Sequence, residues 1–542
     1  MRAGVRRNCA WFAQAPALFI VALIISLPVL AQQRDADDHR PPEGWFAGPP
    51  AYDVNNDEGH WPMYGGNLRH TFSNPKSRIN PKNASSLKLA WSFKTGDAVS
   101  ASPTVVNGVV YVGSWDGYFY ALEADTGSLI WKFQVDCQNS VVPVPPQCLA
   151  PGETPPARFF TDGGLITSSA AVVDGKVYFA GGKTLYSLNA RDGSLRWRRV
   201  ICGNPDDPNC ASDSNDPTRI FSSPAIFDGL VFVGADVDGV NGYRGGFLGL
   251  DAENGETRWR FEVDPKLDAS GHVVGGINRG CGNVWSSAAI DTKHRLVFFG
   301  TSDCKSDATP PYHGAVIALE TKRGELRWAF RPRERDVHLC DFDFGASPNI
   351  IDIGEERYVG IGGKDGTYYL LQRLTESPTG QLAWATNVVF GGLVGGFFGA
   401  AAFDGEHIFS ATGIGDGNVF TQDMGTLCDP SNPRDIFVQE PSMHALDAAG
   451  GRTLWEKPFN QSFAPTSLAD GVVFSGLLGL QGPALNAYDS LTGELLTSFP
   501  LPGSVNSGAT PVGKMVFVGS GNSSTGAGSA VHAFTLPGER PE

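Results

Sequence analysis

Two acidic residues stand two positions apart in the segment His338-Leu-Cys-Asp-Phe-Asp-Phe-Gly-Ala-Ser-Pro348. In an extended chain, residues i and i+2 point to the same side, so Asp341 and Asp343 are expected to aim their carboxylates together. A partly buried place tolerates such a pair if a cation lies between the acids, if one acid stays protonated, or if water screens both. The apolar residues around the acids weaken the interpretation of a solvated turn.

A repeated plan of short strands and glycine turns runs along most of the chain. The first complete copy extends from Ala101 to Trp131, with Asn-Gly, Asp-Gly and Thr-Gly turns between its strands. Such alternation predicts one small antiparallel sheet per copy. A sheet of this size cannot bury both faces alone, so the copies are expected to stack around an axis. Later copies end at Trp197, Trp259, Trp328, Trp384, Trp455 and, degenerately, Phe499.

The two ends of the repeat complete each other. An eighth copy begins at Val505 and runs past Met515 without reaching a Trp strand, whereas Leu87-Lys-Leu-Ala-Trp-Ser-Phe93 has that strand and no preceding copy. We therefore predict an all-β fold, an eight-bladed β-propeller of four-stranded antiparallel sheets over residues 58–538, with its ring closed by the N- and C-terminal strands. Seven blades stay an alternative, because Phe499 breaks the pattern. Long inserts, such as Cys137 to Thr167 and Thr421 to Glu440, are expected to build one rim.

The N-terminus is typical of a secretory signal. Three arginines precede an apolar run that is short for a membrane span, and small residues at Val29 and Ala31 precede a polar tail. We expect cleavage after Ala31, a flexible segment over residues 32–57, a periplasmic or secreted protein, and no stable membrane insertion after cleavage. An uncleaved anchor is the alternative.

Charge and cysteines narrow the classes of partner and compartment. The net charge is −15, and without residues 1–31 it would be −18, from 39 basic and 57 acidic residues. An acidic surface argues against nucleic acid and suits a basic soluble partner. Eight cysteines remain after cleavage, an even number that suggests disulfides, with Cys137/Cys148 and Cys202/Cys210 as local pairs. The absence of a Cys-x-x-Cys-His motif excludes covalent haem attachment on that signature.

The repeat Gly-x-x-x-Gly-x-x-x-Ala-Leu-(Asp/Glu)-Ala-x-Thr-Gly-x-x-x-Trp, complete in the first copy, resembles that of pyrroloquinoline quinone (PQQ) dehydrogenases. Trp61-Pro-Met-Tyr-Gly-Gly-Asn-Leu-Arg-His-Thr and Asp343-Phe-Gly-Ala-Ser-Pro348 look most like the polyvinyl alcohol dehydrogenase branch. The resemblance covers residues 58–535. The repeat alone is weakly specific, because non-enzymatic envelope propellers share it.

The resemblance implies two cofactor contacts. In Gly280-Cys-Gly-Asn-Val-Trp-Ser-Ser, Trp285 looks like the tryptophan that stacks on the planar quinone. Lys364 falls where the family places a Lys or Arg that donates to the quinone oxygens. Their structural alternatives are packing between blades for Trp285 and an ordinary Lys-Asp-Gly hairpin turn for Lys364. Phe397-Phe398-Gly stands where this branch is expected to carry Trp-Gly.

The resemblance also implies a catalytic base and a metal. Asp341 resembles the base and Asp343 an added ligand, a pattern associated with lanthanide use in some relatives; the swapped assignment stays open, because both acids face the site on the alternation argument. Asp303, in Gly-Thr-Ser-Asp-Cys304, is the candidate ligand from the preceding unit, unless it caps a turn. A third ligand is Asp236, Asp238 or Asn241, with Asp238 preferred. The expected metal is Ca²⁺ or a lanthanide.

These residues together imply an alcohol dehydrogenase. PQQ would accept hydride from a secondary alcohol, a polyol or a chain like polyvinyl alcohol, and a separate soluble cytochrome c would take the electrons. A non-catalytic envelope scaffold is the alternative, and it needs no convergence of the three acids. A glycosidase is a third reading, but acids two residues apart offer no obvious geometry for it.

Overall fold

The computed structural model describes residues 59–136, 166–213, 215–302, 304, 310–333, 341–392, 395–415, 441–458, 461–478, 483–521 and 528–538. Strands dominate these ranges, and the helices are two 3-10 turns, Ala84–Ser86 and Cys210–Ser212. Neither turn has the length that crossing a bilayer requires, so these ranges contain no candidate membrane-spanning helix.

Strand β1 (Lys88–Lys94) comes first in the chain, and the next sixteen blade strands form four antiparallel sheets in chain order. Blade 1 contains β2 (Thr104–Val106), β3 (Val109–Gly113), β4 (Tyr118–Glu123) and β5 (Leu129–Gln134). Blade 2 contains β6 (Ala171–Val173), β7 (Lys176–Gly181), β8 (Thr184–Asn189) and β9 (Leu195–Val200). Blade 3 contains β10 (Ala225–Phe227), β11 (Leu230–Ala235), β12 (Gly246–Asp251) and β13 (Thr257–Phe261). A separate hairpin, β14 (Pro265–Leu267) and β15 (Val273–Gly276), precedes blade 4, which contains β16 (Ala289–Asp291), β17 (Leu296–Gly300), β18 (Val316–Glu320) and β19 (Leu326–Phe330).

The second half of the chain repeats this order. Blade 5 contains β20 (Asn349–Ile353), β21 (Glu356–Gly362), β22 (Thr367–Gln372) and β23 (Leu382–Asn387). Blade 6 contains β24 (Ala402–Phe403), β25 (His407–Ala411), β26 (Pro441–Asp447) and β27 (Thr453–Pro458). Blade 7 contains β28 (Ser467–Leu468), β29 (Val472–Gly476), β30 (Pro483–Asp489) and β31 (Leu495–Pro500). Blade 8 contains β32 (Thr510–Val512), β33 (Met515–Ser520) and β34 (Ala530–Thr535).

Strand β1 supplies the fourth strand of blade 8 and closes the ring. It pairs antiparallel with β34, and Ser92 lies opposite His532 in the register. The described ranges therefore form eight four-stranded blades, which confirms the predicted eight-bladed propeller and rules out seven. Blade 7 is complete although Phe499 replaces its tryptophan, because Phe499 packs on Phe534 of blade 8 at 4.5 Å between ring centroids.

The repeated tryptophans hold neighbouring blades together. Except in blade 7, the indole of the outer strand donates its Nε1–H to a turn carbonyl of the next blade, as Trp131 does to Ala190 at 3.0 Å and Trp328 to Arg373 at 3.3 Å. A turn glycine lies against the same indole: Gly193, at φ +69°, covers Trp131 so closely that a Cβ would clash with the ring. The position therefore requires glycine for its backbone angle and for its contact.

The two faces of the ring differ in their connections. Within each blade, the first and second strands, and the third and fourth, are joined at one face, called here the lower face. Several lower turns are two-residue hairpins with positive φ at both residues, such as Asn107-Gly108 at 50° and 74°. The second-to-third connections and the links between blades start and end at the opposite, upper face. The long inserts predicted to build one rim lie almost wholly outside the described residues.

Residues 61–78, called here the floor segment, run around the inside of the ring against the innermost strands. Trp61 exchanges backbone hydrogen bonds with Val105 of blade 1, and the segment later accepts from Ile290 of blade 4 and Phe403 of blade 6. It ends against Gly513 of blade 8. Because this segment uses the inner strand edges that a propeller leaves unpaired, it covers them and fills the axis on the lower side.

Candidate functional site

A cavity of about 310 Å³ lies on the axis above the floor segment. Its walls combine aromatic rings with serine and threonine hydroxyls, and few charged groups reach it. The lining includes Tyr64, Trp115, Phe221, Trp285, Phe398 and Phe463, together with the small residues that enter each inner strand. A concave, mainly apolar site with a few placed polar groups is typical of a binding site for a small molecule or cofactor.

A ring of serines forms the lower part of this cavity. The backbone N–H of Gly508 in blade 8 donates to the Ser102 hydroxyl of blade 1 at 2.9 Å, and the same bond recurs between successive blades from blade 1 to blade 5. The series continues through Ser169, Ser223, Ser287 and Ser347, at 2.8–3.0 Å per bond. The sequence showed these positions only as small residues before each inner strand, so their hydrogen-bonded ring was missed.

Tyr64 of the floor segment extends the ring of serines. Its hydroxyl bonds the side chain of Ser347 and the backbone of Ala400, and burial raises its pKa to about 12. Its ring meets Phe72 edge-on at 4.9 Å. The phenol therefore stays neutral and seals the cavity between blades 5 and 6.

The acidic pair lies where the chain enters blade 5. Phe344 and Ala346 point into the hydrophobic core, whereas Gly345 and Ser347 line the cavity. Alternation therefore places Asp343 on the cavity face with Gly345. Asp341 has φ +56°, so its direction is not set by this alternation. Of the two acids, only Asp343 therefore lies on the extended face that alternation predicts for both.

Both carboxylates nevertheless converge on Lys364. The Lys364 ammonium lies 2.6 Å from Asp341 Oδ2 and 3.8 Å from Asp343 Oδ2. Lys364 is only 3% exposed, its backbone N–H donates to the Asp343 carbonyl at 2.8 Å, and its charge lies 5.2 Å from the centre of the Phe398 ring. The lysine is therefore a buried cation between the two acids, one of the conditions that makes such a pair tolerable.

Arg333 and Asp365 form an ion pair that fixes the segments carrying the two acids and Lys364. Arg333 pairs with the fully buried Asp365 carboxylate, donates to the Phe342 carbonyl at 2.9 Å, and lies over the Phe342 ring. The Tyr369 hydroxyl donates to the same carboxylate at 2.5 Å. Because Phe342 lies between the two acids and Asp365 follows Lys364, one guanidinium fixes both segments. The sequence analysis did not identify the Arg333–Asp365 pair. The signal for it in the sequence was that Asp365 directly follows Lys364.

Trp285 lies beside the acidic segment, half-buried in the cavity wall. Gly345 lies against its indole, and a Cβ there would clash with the ring. Phe398 is 6.1 Å away between ring centroids and packs in turn on Phe463 at 4.2 Å. Phe398, which stands in place of the expected Trp-Gly, is thus an aromatic wall that contacts Lys364 and faces Trp285.

Of the three residues considered for the third ligand, Asp236 lies in the cavity wall, whereas Asp238 and Asn241 do not. Asp238 follows in a turn with φ +49° and is exposed to solvent. Asp303 lies outside the described residues. Within the ranges that the structure describes, no three His, Cys, Asp or Glu side chains form a group that would hold a metal alone.

Two disulfides stand among the described cysteines. Cys202–Cys210 confirms one local pair predicted from the sequence, whereas the Cys137/Cys148 pair lies outside the described ranges. Cys281–Cys304 was not predicted. The sequence indication for this disulfide was that each cysteine lies near a predicted site residue, because Cys281 precedes Trp285 by four residues and Cys304 follows Asp303 directly. The bridge ties the segment leading to Trp285 to the loop after β17.

The propeller fold resembles that of solved quinoprotein dehydrogenases. The quinohemoprotein alcohol dehydrogenase of Comamonas testosteroni superposes with a TM-score of 0.68 at 20% identity, covering 90% of this chain and 82% of the other. A europium-containing methanol dehydrogenase gives 0.66 at 18% identity, covering 89% of this chain and 98% of the other. At these identities the likeness establishes the fold class.

Sequence comparison identifies the family. The profile described as "Glucose/ethanol/alcohol dehydrogenase, beta-propeller domain", of the PQQ type, matches residues 61–382, more than half of the chain. A second profile, "Outer membrane protein assembly factor BamB", matches residues 435–534. The chain belongs to the PQQ-dependent alcohol dehydrogenase family.

Among curated relatives, a polyvinylalcohol dehydrogenase from Pseudomonas sp. is 25% identical over 523 residues, 85% of this chain and 73% of the relative. Another from Sphingopyxis sp. (strain 113P3) is 24% identical over 493 residues, 80% of this chain and 68% of the relative. Both resemblances cover more of the chain than the profile match does, and they agree with the branch suggested by the sequence motifs.

Proposed function

We propose that this protein is a periplasmic or secreted dehydrogenase that oxidises a secondary alcohol, a polyol or a chain like polyvinyl alcohol, with PQQ as hydride acceptor and a soluble cytochrome c as electron acceptor. One observation carries the proposal: two carboxylates and a buried lysine converge beside the indole of Trp285. The two polyvinylalcohol dehydrogenases among the relatives support the substrate class.

The cavity residues fit a flat, oxygen-rich cofactor. The Trp285 indole offers a stacking face, with Gly345 behind it and Phe398 nearby. Asn506 Oδ1 is buried in the wall and accepts no hydrogen bond from the described part of the chain, so it can receive one from a ligand. Lys364 would donate to an oxygen of the ring and stabilise negative charge there. When bound, PQQ supplies the carbonyl carbon that accepts the hydride.

The two acids divide into a base and a metal ligand. The sequence assignment makes Asp341 the base and Asp343 the ligand. The geometry favours the exchange, because Asp343 shares the cavity face of Gly345, while one carboxylate oxygen of Asp341 is held in an ion pair with the Lys364 ammonium at 2.6 Å. In the favoured version, Asp343 receives the hydroxyl proton of the alcohol.

The proposed metal site uses acids from different blades. Asp341 or Asp343 from blade 5 would act with Asp303, and Asp236 replaces Asp238 as the ligand after β11, because Asp236 lines the cavity. Carboxylate oxygens suit Ca²⁺ or a lanthanide, and further oxygens would come from the cofactor. The ion would hold the cofactor and polarise its carbonyl.

Reconstitution tests this proposal against the scaffold alternative. The purified protein would be loaded with PQQ and Ca²⁺, or PQQ and a lanthanide, and dye reduction followed over primary, secondary and polymeric alcohols. Quenching of tryptophan fluorescence would report cofactor binding independently of turnover, with Trp285→Phe as the matched variant. Binding together with alcohol-dependent dye reduction is expected. Absence of both with every metal would favour a non-catalytic scaffold, to which the BamB-type profile match also points.

The same reconstitution separates the two acids. The variant of the base is expected to bind metal and PQQ normally and to lose turnover, whereas the variant of the ligand is expected to lose metal affinity first. Asp341→Asn and Asp343→Asn, compared by metal titration and by kcat at saturating metal, therefore decide between the two versions.

A further inference from the structure

We propose that the hairpin β14–β15 and the acidic loops at its base form the docking surface for a basic protein that takes electrons from the site. The inference rests on the proposed function, since it names where the acceptor binds. It adds a surface that the sequence analysis did not single out and that lies outside the cavity.

The hairpin presents aliphatic side chains to solvent. Leu267, Val273 and Val274 are 55%, 59% and 58% exposed, although Leu267 and Val273 are paired across the two strands. No repeat unit requires this hairpin, because it is an insert between the last strand of blade 3 and the first strand of blade 4. An apolar patch rimmed by polar groups is typical of a protein–protein contact.

Topology places the hairpin on the upper face, in the link that leads to the cavity. Links between blades lie on the upper face, and this link continues through Gly280 to Trp285 without another strand. The backbone N–H of Gly280 donates to Tyr243 O at 2.8 Å, and the Asn283 side chain accepts from Val237 N–H at 2.8 Å. The hairpin therefore adjoins the loop that carries Asp236 and shares its chain segment with the stacking indole.

Buried ion pairs make the base of the hairpin rigid. The Arg244 side chain, 2% exposed as a residue, bonds Asp206, Glu262 and Asn278. Arg279 donates to both carboxylate oxygens of the buried Asp264, at 2.6 and 2.8 Å. Bidentate pairs of this kind fix geometry as well as charge. A rigid mount keeps the entropic cost of docking low.

The surroundings of the hairpin select a basic partner. In the loops 201–222 and 236–245 and the insert 262–284, nine acidic residues stand against four basic ones. Asp206 and Asp238, at the base, are exposed. With a chain charge of −15, a second copy or an anionic membrane would be repelled. A basic protein with its own apolar patch would be attracted and steered to the cavity mouth.

Leu267→Gln/Val273→Thr/Val274→Thr tests the surface, because threonine keeps the strand preference while removing apolar area. The probe is a basic, mitochondrial-type cytochrome c as acceptor for the PQQ- and metal-loaded enzyme. The KM for this cytochrome is expected to rise about tenfold, while activity with a small dye stays unchanged. The matched control is Leu491→Gln, since Leu491 is 76% exposed on a lower-face turn. It is expected to change neither value.

Direct binding provides a readout that does not need turnover. Calorimetry at low salt should show binding of the cytochrome to the unmodified protein, weakened by added salt and by Asp206→Asn, which keeps a hydrogen-bonding partner for Arg244. An unchanged KM and unchanged binding in the triple variant would overturn the docking surface. Self-association or binding to phosphatidylcholine vesicles, lost in that variant, would assign the hairpin to another occupant and also overturn it. Absence of dye reduction by the unmodified, PQQ- and metal-loaded protein would instead contradict the proposed function.

Discussion

The upper and lower faces of the ring follow different rules. On the lower face, two-residue turns such as Asn107-Gly108 join strands with the fewest residues that a hairpin permits, and the floor segment covers the inner strand edges. On the upper face, the described links are longer and contain the two acids, Lys364 and Trp285, whereas Tyr64 reaches the cavity from the floor segment. Stability and chemistry are therefore separated along the axis of the ring, as expected when a rigid scaffold positions functional loops.

The largest effect on turnover is expected when one of the two acids is replaced. Asp343→Asn keeps the size of the side chain but removes a charge that is not needed to hold the blades together. In the favoured assignment, kcat with dye is expected to fall by about 10²–10⁴-fold, while the thermal midpoint changes little. Steady-state kinetics with differential scanning calorimetry checks both. A large loss of stability with normal turnover would break the separation.

The reverse result is expected for a tryptophan that joins blades. Trp328 is 1% exposed and bonds blade 5 through Arg373 O. Trp328→Ala is expected to cost about 3–5 kcal/mol of unfolding free energy, because it opens a cavity between blades 4 and 5. Denaturant unfolding measures this cost. Trp328→Phe should recover much of the lost unfolding free energy. At denaturant concentrations well below the unfolding midpoint, kcat should remain near that of the unmodified protein.

A pH titration of stability separates the scaffold from the site without changing the site. Burial lowers the pKa of His532 to about 4, so the unfolded chain binds a proton first as the pH falls from 6.5. Stability is therefore full above pH 6.5 and is lost toward pH 4, by on the order of 3 kcal/mol from this group. His532→Gln should flatten the slope. A slope identical to that of the unmodified protein would contradict the assignment.

Substitution of Arg333 tests whether one side chain both stabilises the fold and positions the acids of the site. Arg333→Lys keeps a charge beside Asp365 but loses the second bond to the Phe342 carbonyl. We expect metal affinity or kcat to fall by about 10–100-fold, and the pH profile of kcat to shift, because both acids lose their fixed distance from Lys364. Arg323→Lys, an exposed arginine on a lower-face turn, is the matched control. An unchanged pH profile would assign Arg333 to structure alone.

The smallest effect is expected at a lower turn. Gly108 has φ +74°, so Gly108→Ala places a Cβ in a left-handed conformation and is expected to cost about 1–2 kcal/mol. Chemical denaturation measures it, and kcat should not change. If turnover fell with this remote substitution, the faces would be coupled more tightly than their structures indicate.

The sequence predicted the ring because each blade carries its own local signals. Glycine turns, strand alternation and the blade-end tryptophan repeat in register, and the unmatched ends near Leu87 and Met515 indicated closure. The site was predicted less completely, since side chains from distant copies meet there. Alternation found Asp343 but not the left-handed backbone at Asp341, and no pattern distinguished Asp236 in the wall from Asp238 in solvent. The floor segment has no periodicity, so its circuit of the ring was not foreseen.

Ring closure by β1 and β34 also determines when this protein can finish folding. Ser92 meets His532 across 440 residues, so β1 has no strand partner in the ring until β34 has been synthesised. During that time β1 offers unpaired backbone groups to any other strand nearby. A slow, late assembly step of this kind favours low protein concentrations or a chaperone. Overexpression is therefore expected to yield aggregates that begin at β1, and supplying residues 530–535 as a separate peptide should reduce them.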